Sequence, residues 1–179
     1  MGKDRGFTLI ELLLVTAIIG LLAAIAVPGL LRARQSGNEA SAIGSVRAVV
    51  GGQAAYSATC ASGGFAQNNL DLARAPAGGE PFIGADLEQA DQAGHAKSGY
   101  LVAVKDNSDA TNRDVTAAAD TCNGSTANAR ANYYLGADPL TRGSSGQRSF
   151  GTDRRGTIYF NFSGALPNPV PAAYPDYIE

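Results

Sequence analysis

The apolar positions of this chain are concentrated near its N-terminus. Between residues 12 and 31 the one polar side chain is Thr16. A helix of about 20 residues at 1.5 Å each spans about 30 Å, the thickness of a bilayer core. Lys3 and Arg5 precede the run. By the positive-inside rule this order predicts one membrane span, a cytoplasmic N-terminus and an exported C-terminal bulk.

A helical pattern continues beyond Pro28. A proline inside a helix removes one hydrogen bond and clashes with the preceding turn, so we expect a kink or local break there. A helix that simply ends at Pro28 is the alternative. Apolar spacing resumes on one helical face at Ile43, Val46, Val50 and Ala54. This favours one helix from residue 7 to about residue 58, whose second half packs against a globular domain.

Shorter alternating runs in the C-terminal half predict β-strands. The candidates are residues 98–105, 131–135, 147–151 and 156–162, with residues 152–156 as a hairpin turn. Residues 60–97 are rich in Gly, Pro and polar side chains and predict loops with short helical pieces. The Pro-rich tail, residues 167–179, is expected to be extended. The pattern predicts an α+β fold, with a small antiparallel sheet packed on the long helix.

Charge and chemistry exclude two classes of function. The net charge is -2, and no stretch is strongly basic, which argues against a dedicated nucleic-acid-binding protein. The chain has one histidine and no plausible nucleophile–base pair. We therefore expect neither an enzyme nor a cofactor.

The two cysteines, Cys60 and Cys122, both lie outside the apolar run. In an exported chain one disulfide between them is the simplest interpretation, and two buried free thiols are the alternative in a cytoplasmic one. The bridge would close a loop of about 60 residues, worth roughly 4 kcal/mol in the chain-entropy model. It would tie the end of the helix to the loop before the strand at residues 131–135.

Glu11 is the anomaly in the apolar segment. A secretory signal peptide would account for the basic start and the small-x-small stretch at residues 24–26, but has no use for a carboxylate. A plain membrane anchor has none either. An ionisable residue inside a membrane is by default a functional hypothesis that requires a partner.

The stretch GFTLIE, residues 6–11, resembles the processing site of the type IV prepilin and pseudopilin family. This resemblance suggests a partner for Glu11. The resemblance implies that an inner-membrane prepilin peptidase cuts between Gly6 and Phe7 and methylates the new N-terminus of Phe7. Glu11 matches the family's glutamate, which pairs with the N-terminal ammonium of a neighbouring subunit. The alternative is that Glu11 only snorkels to the cytoplasmic headgroups.

The resemblance divides the chain into a leader (1–6), a membrane-spanning half-helix that becomes the filament core (7–31), an amphipathic half-helix (32–59) and a globular head (60–179). It implies a structural subunit of a homo-oligomeric helical filament for adhesion, motility or DNA uptake. An inner-membrane platform would assemble it into an extracellular pilus. The alternatives are a type II secretion pseudopilin, which forms a periplasmic piston, and a membrane-anchored binding domain that never polymerises.

Two acidic clusters are candidates for metal sites. Asp86, Glu88, Asp91 and His95 are typical of a solvated loop. Residues 106–114 contain Asp106, Asp109 and Asp114, but lack the glycine and the final glutamate of a calcium loop. Major pseudopilins bind calcium beside a tryptophan-containing motif, and this chain has no tryptophan. We therefore expect no metal, and the pilus is favoured over the secretion system.

Overall fold

The computed structural model describes residues 6–172 and 174–178, in two compact units that divide between Arg34 and Gln35. The helices are α1 (Leu9–Thr59), α2 (Asn69–Ala73) and α3 (Ala85–Glu88). The strands are β1 (Tyr100–Asp106), β2 (Asp114–Thr116), β3 (Ala129–Arg130), β4 (Tyr133–Pro139), β5 (Ser149–Asp153), β6 (Ile158–Asn161) and β7 (Tyr177–Ile178). Most of the predicted leader, residues 1–5, lies outside the described residues.

The first unit contains the apolar part of α1. The helix continues through Pro28, so the alternative of a helix that ends there is wrong. It ends at Thr59, one residue beyond the expected end. It begins at Leu9 rather than at residue 7, because Thr8 acts as its N-terminal cap. The kink expected at Pro28 stays a prediction.

In the second unit, one side of α1 packs against the sheet. Its buried positions are Glu39, Ala42, Ser45, Val46, Val49, Gly52, Gln53 and Tyr56. The predicted face was wrong in part, since Ala54 is exposed and Ile43 and Val50 are only half-buried. The buried face of the helix also contains polar side chains, such as Glu39 and Gln53, which form hydrogen bonds to the head. A prediction from apolar spacing alone therefore misplaced this face. At Gly52 no side chain fits, because a Cβ would lie 2.5 Å from the Phe82 carbonyl oxygen.

The expected antiparallel sheet is confirmed, and its strand order is β1-β4-β5-β6-β7. Val102 of β1 pairs with Ala137 of β4, and Phe150 of β5 pairs with Phe160 of β6. The core between sheet and helix includes Val46, Val49, Tyr56, Val102, Leu135 and Phe150. The long helix and the antiparallel sheet together form the predicted α+β fold.

Three short strands were not predicted. β2 pairs with β3 in a separate two-stranded sheet, and β7 pairs with β6, so the tail expected to be extended ends as the edge of the main sheet. Strands of two or three residues are too short to show the alternation by which strands are recognised in a sequence.

The disulfide between Cys60 and Cys122 is present, as predicted. Cys60 follows the last residue of α1, and the two Cα atoms lie 4.7 Å apart. The Cys122 amide also donates a 3.1 Å hydrogen bond to the Cys60 carbonyl. The bridge therefore fixes the loop before β3 to the end of the helix.

Glu39 fastens the opposite end of this part of α1 to the sheet. Its carboxylate accepts hydrogen bonds from the amides of Gln147 (2.9 Å) and Arg148 (3.1 Å) and pairs with the Arg148 guanidinium at 2.8 Å. Arg148 in turn lies over the rings of Phe150 and Phe160, at 5.4 and 5.3 Å. Burial raises the pKa of Glu39, but these hydrogen bonds and the nearby positive charge outweigh it, so the pKa is lowered overall.

Removal of the disulfide should destabilise the second unit. The bridged cysteines are 62 residues apart, and a loop of that size corresponds to roughly 4 kcal/mol of denatured-state entropy. Urea unfolding should show this loss in the double variant Cys60→Ser/Cys122→Ser. Reduction of the unsubstituted chain should reproduce it, and equal stability of oxidised and reduced chains would contradict the prediction.

Replacement of the Glu39 carboxylate should destabilise the second unit in a pH-dependent way. Because hydrogen bonds to a charged group contribute about 1–3 kcal/mol, Glu39→Gln should lower the free energy of unfolding by that amount at neutral pH. A carboxylate with a lowered pKa stabilises the fold above its unfolded pKa, and the effect is lost as the pH falls through the folded pKa. The difference between the two chains should therefore disappear in acid.

Denaturant unfolding at several pH values measures this difference. Glu80→Gln is the matched control, because Glu80 is exposed and its replacement should have little effect at any pH. A Glu39→Gln difference that persists unchanged in acid would show that the charge is not responsible.

Candidate functional site at the N-terminus of α1

The peptide bond between Gly6 and Phe7 lies just before the helix. Both residues are outside regular secondary structure, and the Phe7 side chain is 84% exposed. Exposed, non-helical backbone is where a protease reaches a chain most readily. A Cβ added at Gly6 would contact none of the described residues within 4 Å. Packing within the described chain therefore does not require glycine at this position.

Thr8 and Glu11 cap the helix reciprocally. The Thr8 carbonyl accepts the Leu12 amide at 3.3 Å, and the Thr8 hydroxyl oxygen accepts the Glu11 amide at 3.3 Å. In return, Oε2 of Glu11 accepts the Thr8 amide at 2.9 Å and the Thr8 hydroxyl at 2.6 Å. This arrangement is a capping box, in which a Thr-x-x-Glu sequence satisfies amide groups that the helix leaves unpaired.

The capping box was missed in the sequence, although its Thr-x-x-Glu spacing is readable there. It gives Glu11 a partner inside its own chain, Thr8, in addition to the predicted partner on a neighbouring subunit. Both bonds use Oε2, and no described residue donates to Oε1. The carboxylate therefore holds the first turn of the helix and still has one oxygen for a further donor.

The first half of α1 exposes apolar side chains all around its axis. The exposed residues are Leu9, Ile10, Leu12, Leu13, Leu14, Val15, Ile18, Ile19, Leu21, Leu22, Ile25, Val27, Leu30 and Leu31. The Thr16 hydroxyl donates to the Leu13 carbonyl at 3.0 Å, so this polar group is satisfied within the helix. By length and composition, α1 is the one helix among the described residues that could cross a membrane.

The two acidic clusters are not assembled into metal sites. Asp86 forms an ion pair with Lys97, whose hydrogen bond lowers the pKa of that carboxyl. Asp106 and Asp114 both pair with Arg130. No group of three or more His, Cys, Asp or Glu side chains that could hold a metal occurs within residues 6–172 and 174–178.

Comparison with known proteins gives the same family. The family described as "Prokaryotic N-terminal methylation motif" matches residues 1–27. The chain is similar to the type IV major pilin protein PilA of Myxococcus xanthus, at 41% identity over 54 residues, or 30% of this chain and 24% of that protein. It is also similar to the type IV wide pilus major component PilA4 of Thermus thermophilus, at 56% identity over 39 residues, or 22% of this chain and 30% of that protein.

The matches therefore span less than a third of either relative's own length. No solved structure matches the chain. The N-terminal segment is similar to type IV prepilins, as the resemblance of residues 6–11 predicted. Both relatives are named as major components of type IV pili.

Proposed function

We propose that this chain is a structural subunit of a type IV pilus-like filament, cleaved after Gly6, N-methylated on Phe7 and polymerised through the first half of α1. The observation that carries the proposal is the apolar surface of residues 9–31, which is exposed all around the helix and begins at a capped carboxylate. An apolar surface of this extent requires a lipid or protein cover. The inner membrane would supply it before assembly, and neighbouring helices in an extracellular filament would supply it afterwards.

The two covers differ little in hydrophobic free energy. Lipid tails are as apolar as leucine side chains, so transfer of the helix from membrane to filament core gains little from the hydrophobic effect. Close packing and polar pairing must then favour the filament and set its axial register. Glu11 is the ionisable side chain placed for this role within the described part of the apolar segment.

Cleavage after Gly6 would create the partner for Glu11. The new N-terminus at Phe7 carries an ammonium group. A carboxylate in a low-dielectric helix bundle costs several kcal/mol unless it is paired. The Phe7 ammonium of a neighbouring subunit could bind Oε1, to which no described residue donates, while Oε2 continues to cap the helix.

Glycine at position 6 would be required for recognition by the processing enzyme rather than for folding. The described residues leave room for a side chain at Gly6, so the restriction fits recognition by the prepilin peptidase. The names of both relatives, each a major pilus component, support a pilus rather than a secretion piston. An inner-membrane assembly platform and further copies of this chain are the proposed partners.

Substitution of Glu11 can separate its two roles. Gln at this position still accepts the Thr8 amide in a capping box but has no charge. We expect the Glu11→Gln chain to be processed normally but to yield at most about one tenth of the normal amount of filament. A loss of only 1.4 kcal/mol per contact corresponds to a factor of ten in its equilibrium constant. Immunoblots of sheared filaments and N-terminal sequencing of membrane-resident subunits measure both steps.

Thr8→Val is the matched control, because it removes the hydroxyl from the cap and retains the Glu11 charge. We expect this chain to assemble better than Glu11→Gln. The reverse order, with normal filaments from Glu11→Gln and none from Thr8→Val, would assign Glu11 to capping alone and refute the pairing between subunits.

A further inference from the structure

Two Asn-x-Ser sequences occur in the second unit, each with a residue other than proline in its middle position. Asn123 begins the first, directly after the disulfide cysteine Cys122, and Asn161 begins the second, at the end of β6. Asn-x-Ser/Thr is the sequence at which an oligosaccharyltransferase attaches a sugar to the asparagine side chain of an exported protein. The two side chains share this motif but differ in their surroundings.

An N-linked sugar places two requirements on its asparagine. The side-chain nitrogen, Nδ2, carries two hydrogen atoms, and the sugar replaces one of them, so the linked nitrogen donates at most one hydrogen bond. The sugar is also bulky and polar, and it must reach solvent. Both requirements apply to the folded chain, whether the sugar is attached before or after folding.

Asn123 does not meet the first requirement. Its Nδ2 donates to the carbonyl oxygens of Asp71, at 2.7 Å, and Arg74, at 3.0 Å. Its Oδ1 accepts the hydroxyl of Ser125, which is buried. A sugar on Nδ2 would remove at least one of the two hydrogen bonds that join the loop after Cys122 to α2. This asparagine therefore holds the loop in place and is a poor acceptor.

Asn161 leaves its side-chain nitrogen unused. Its Oδ1 accepts the amide of Ser163 at 3.0 Å and the hydroxyl of the same residue at 2.9 Å, which makes an Asx turn. These hydrogen bonds use only the oxygen, and no described residue accepts a hydrogen bond from Nδ2. Asn161 is half-buried, but the next two residues, Phe162 and Ser163, are both exposed. The turn therefore keeps the nitrogen available for a substituent at the surface.

Strand alternation places Asn161 on the face of the sheet opposite the second half of α1. Ile158 and Phe160 of β6 pack in the core that this part of the helix shares. Side chains alternate between the two faces along a strand, so Tyr159 and Asn161 belong to the other face. A sugar on Asn161 would extend away from the helix and leave its packing intact.

We propose that Asn161 is the acceptor of an N-linked glycan, attached by an oligosaccharyltransferase after export. The co-reactant is a sugar chain linked through pyrophosphate to a lipid carrier. A bond forms between Nδ2 and C1 of the first sugar as the bond between C1 and the pyrophosphate oxygen breaks. One amide proton passes to a base of the enzyme, and the lipid pyrophosphate leaves with the bonding electrons. The proposal shares export of the head with the proposed function but does not require polymerisation.

Mass spectrometry of tryptic peptides tests the two asparagines separately. Cleavage after arginine gives residues 114–130, which contain Asn123, and residues 156–179, which contain Asn161. The sample would be the reduced full-length chain, purified from the envelope of the cells that encode it. We expect residues 156–179 to be heavier by a whole number of sugar residues, with fragment ions that place the sugar on Asn161. Residues 114–130 should be unmodified.

Three variants test the motif. Asn161→Gln moves the side-chain nitrogen away from its position in the turn, and Ser163→Ala removes the hydroxyl that the motif requires, so each should lose the added mass completely. Ser163→Thr is the matched control, because it retains a hydroxyl at this position and should keep the added mass. Melting curves compared with the unsubstituted chain establish that each variant is folded.

Unmodified Asn161 in the unsubstituted chain would overturn the proposal. A sugar that persists in Asn161→Gln and is lost in Ser163→Ala would also overturn it, because the sugar would then be on the serine hydroxyl. The N-terminal peptide of the same sample keeps this proposal distinct from the proposed function. Unmodified Asn161 in a chain that begins at Phe7 overturns the glycan alone, and glycosylated Asn161 in a chain that begins at Met1 overturns the processing alone.

Discussion

The constraint on which this protein depends is that the apolar surface of residues 9–31 cannot remain in water and that its one carboxylate cannot remain unpaired in a low dielectric. Lipid or neighbouring helices satisfy the first requirement. The capping box between Thr8 and Glu11 meets part of the second within a single chain. The proposed ammonium of a neighbouring subunit would meet the rest, so the same carboxylate would serve the helix before assembly and the filament afterwards.

The second half of α1 is bound to the head near both ends of this half-helix. Near residue 39 the Glu39–Arg148 pair joins the helix to the start of β5, and at residue 60 the disulfide joins it to the loop before β3. Between them, Val46, Val49 and Tyr56 pack into the common core. This part of the helix is thereby integral to the second unit, so a force applied to it would be transmitted to the sheet.

Long periodic features could be predicted from the sequence, and short or polar ones could not. The apolar run, the four longer strands and the disulfide each have a strong signal in residue type and spacing. β2, β3 and β7 are too short for alternation to be recognised. The structural role of Glu39 has no local signal, because its partner, Arg148, is 109 residues away. At the site, the free-energy cost of a carboxylate inside a membrane marked Glu11 as functional. The Thr-x-x-Glu spacing of Thr8 and Glu11 would also have predicted the capping box, but only a partner on another subunit was predicted.

The most direct test of the account is mass spectrometry of filaments sheared from the cell surface. We predict an N-terminal peptide that begins at Phe7 and carries one additional methyl group on its amine. The Gly6→Val chain is the matched control and should retain the leader and be absent from the sheared fraction. A sheared filament whose subunits begin at Met1, or at Val27 after cleavage by a signal peptidase, would contradict both the processing and the role assigned to the apolar segment.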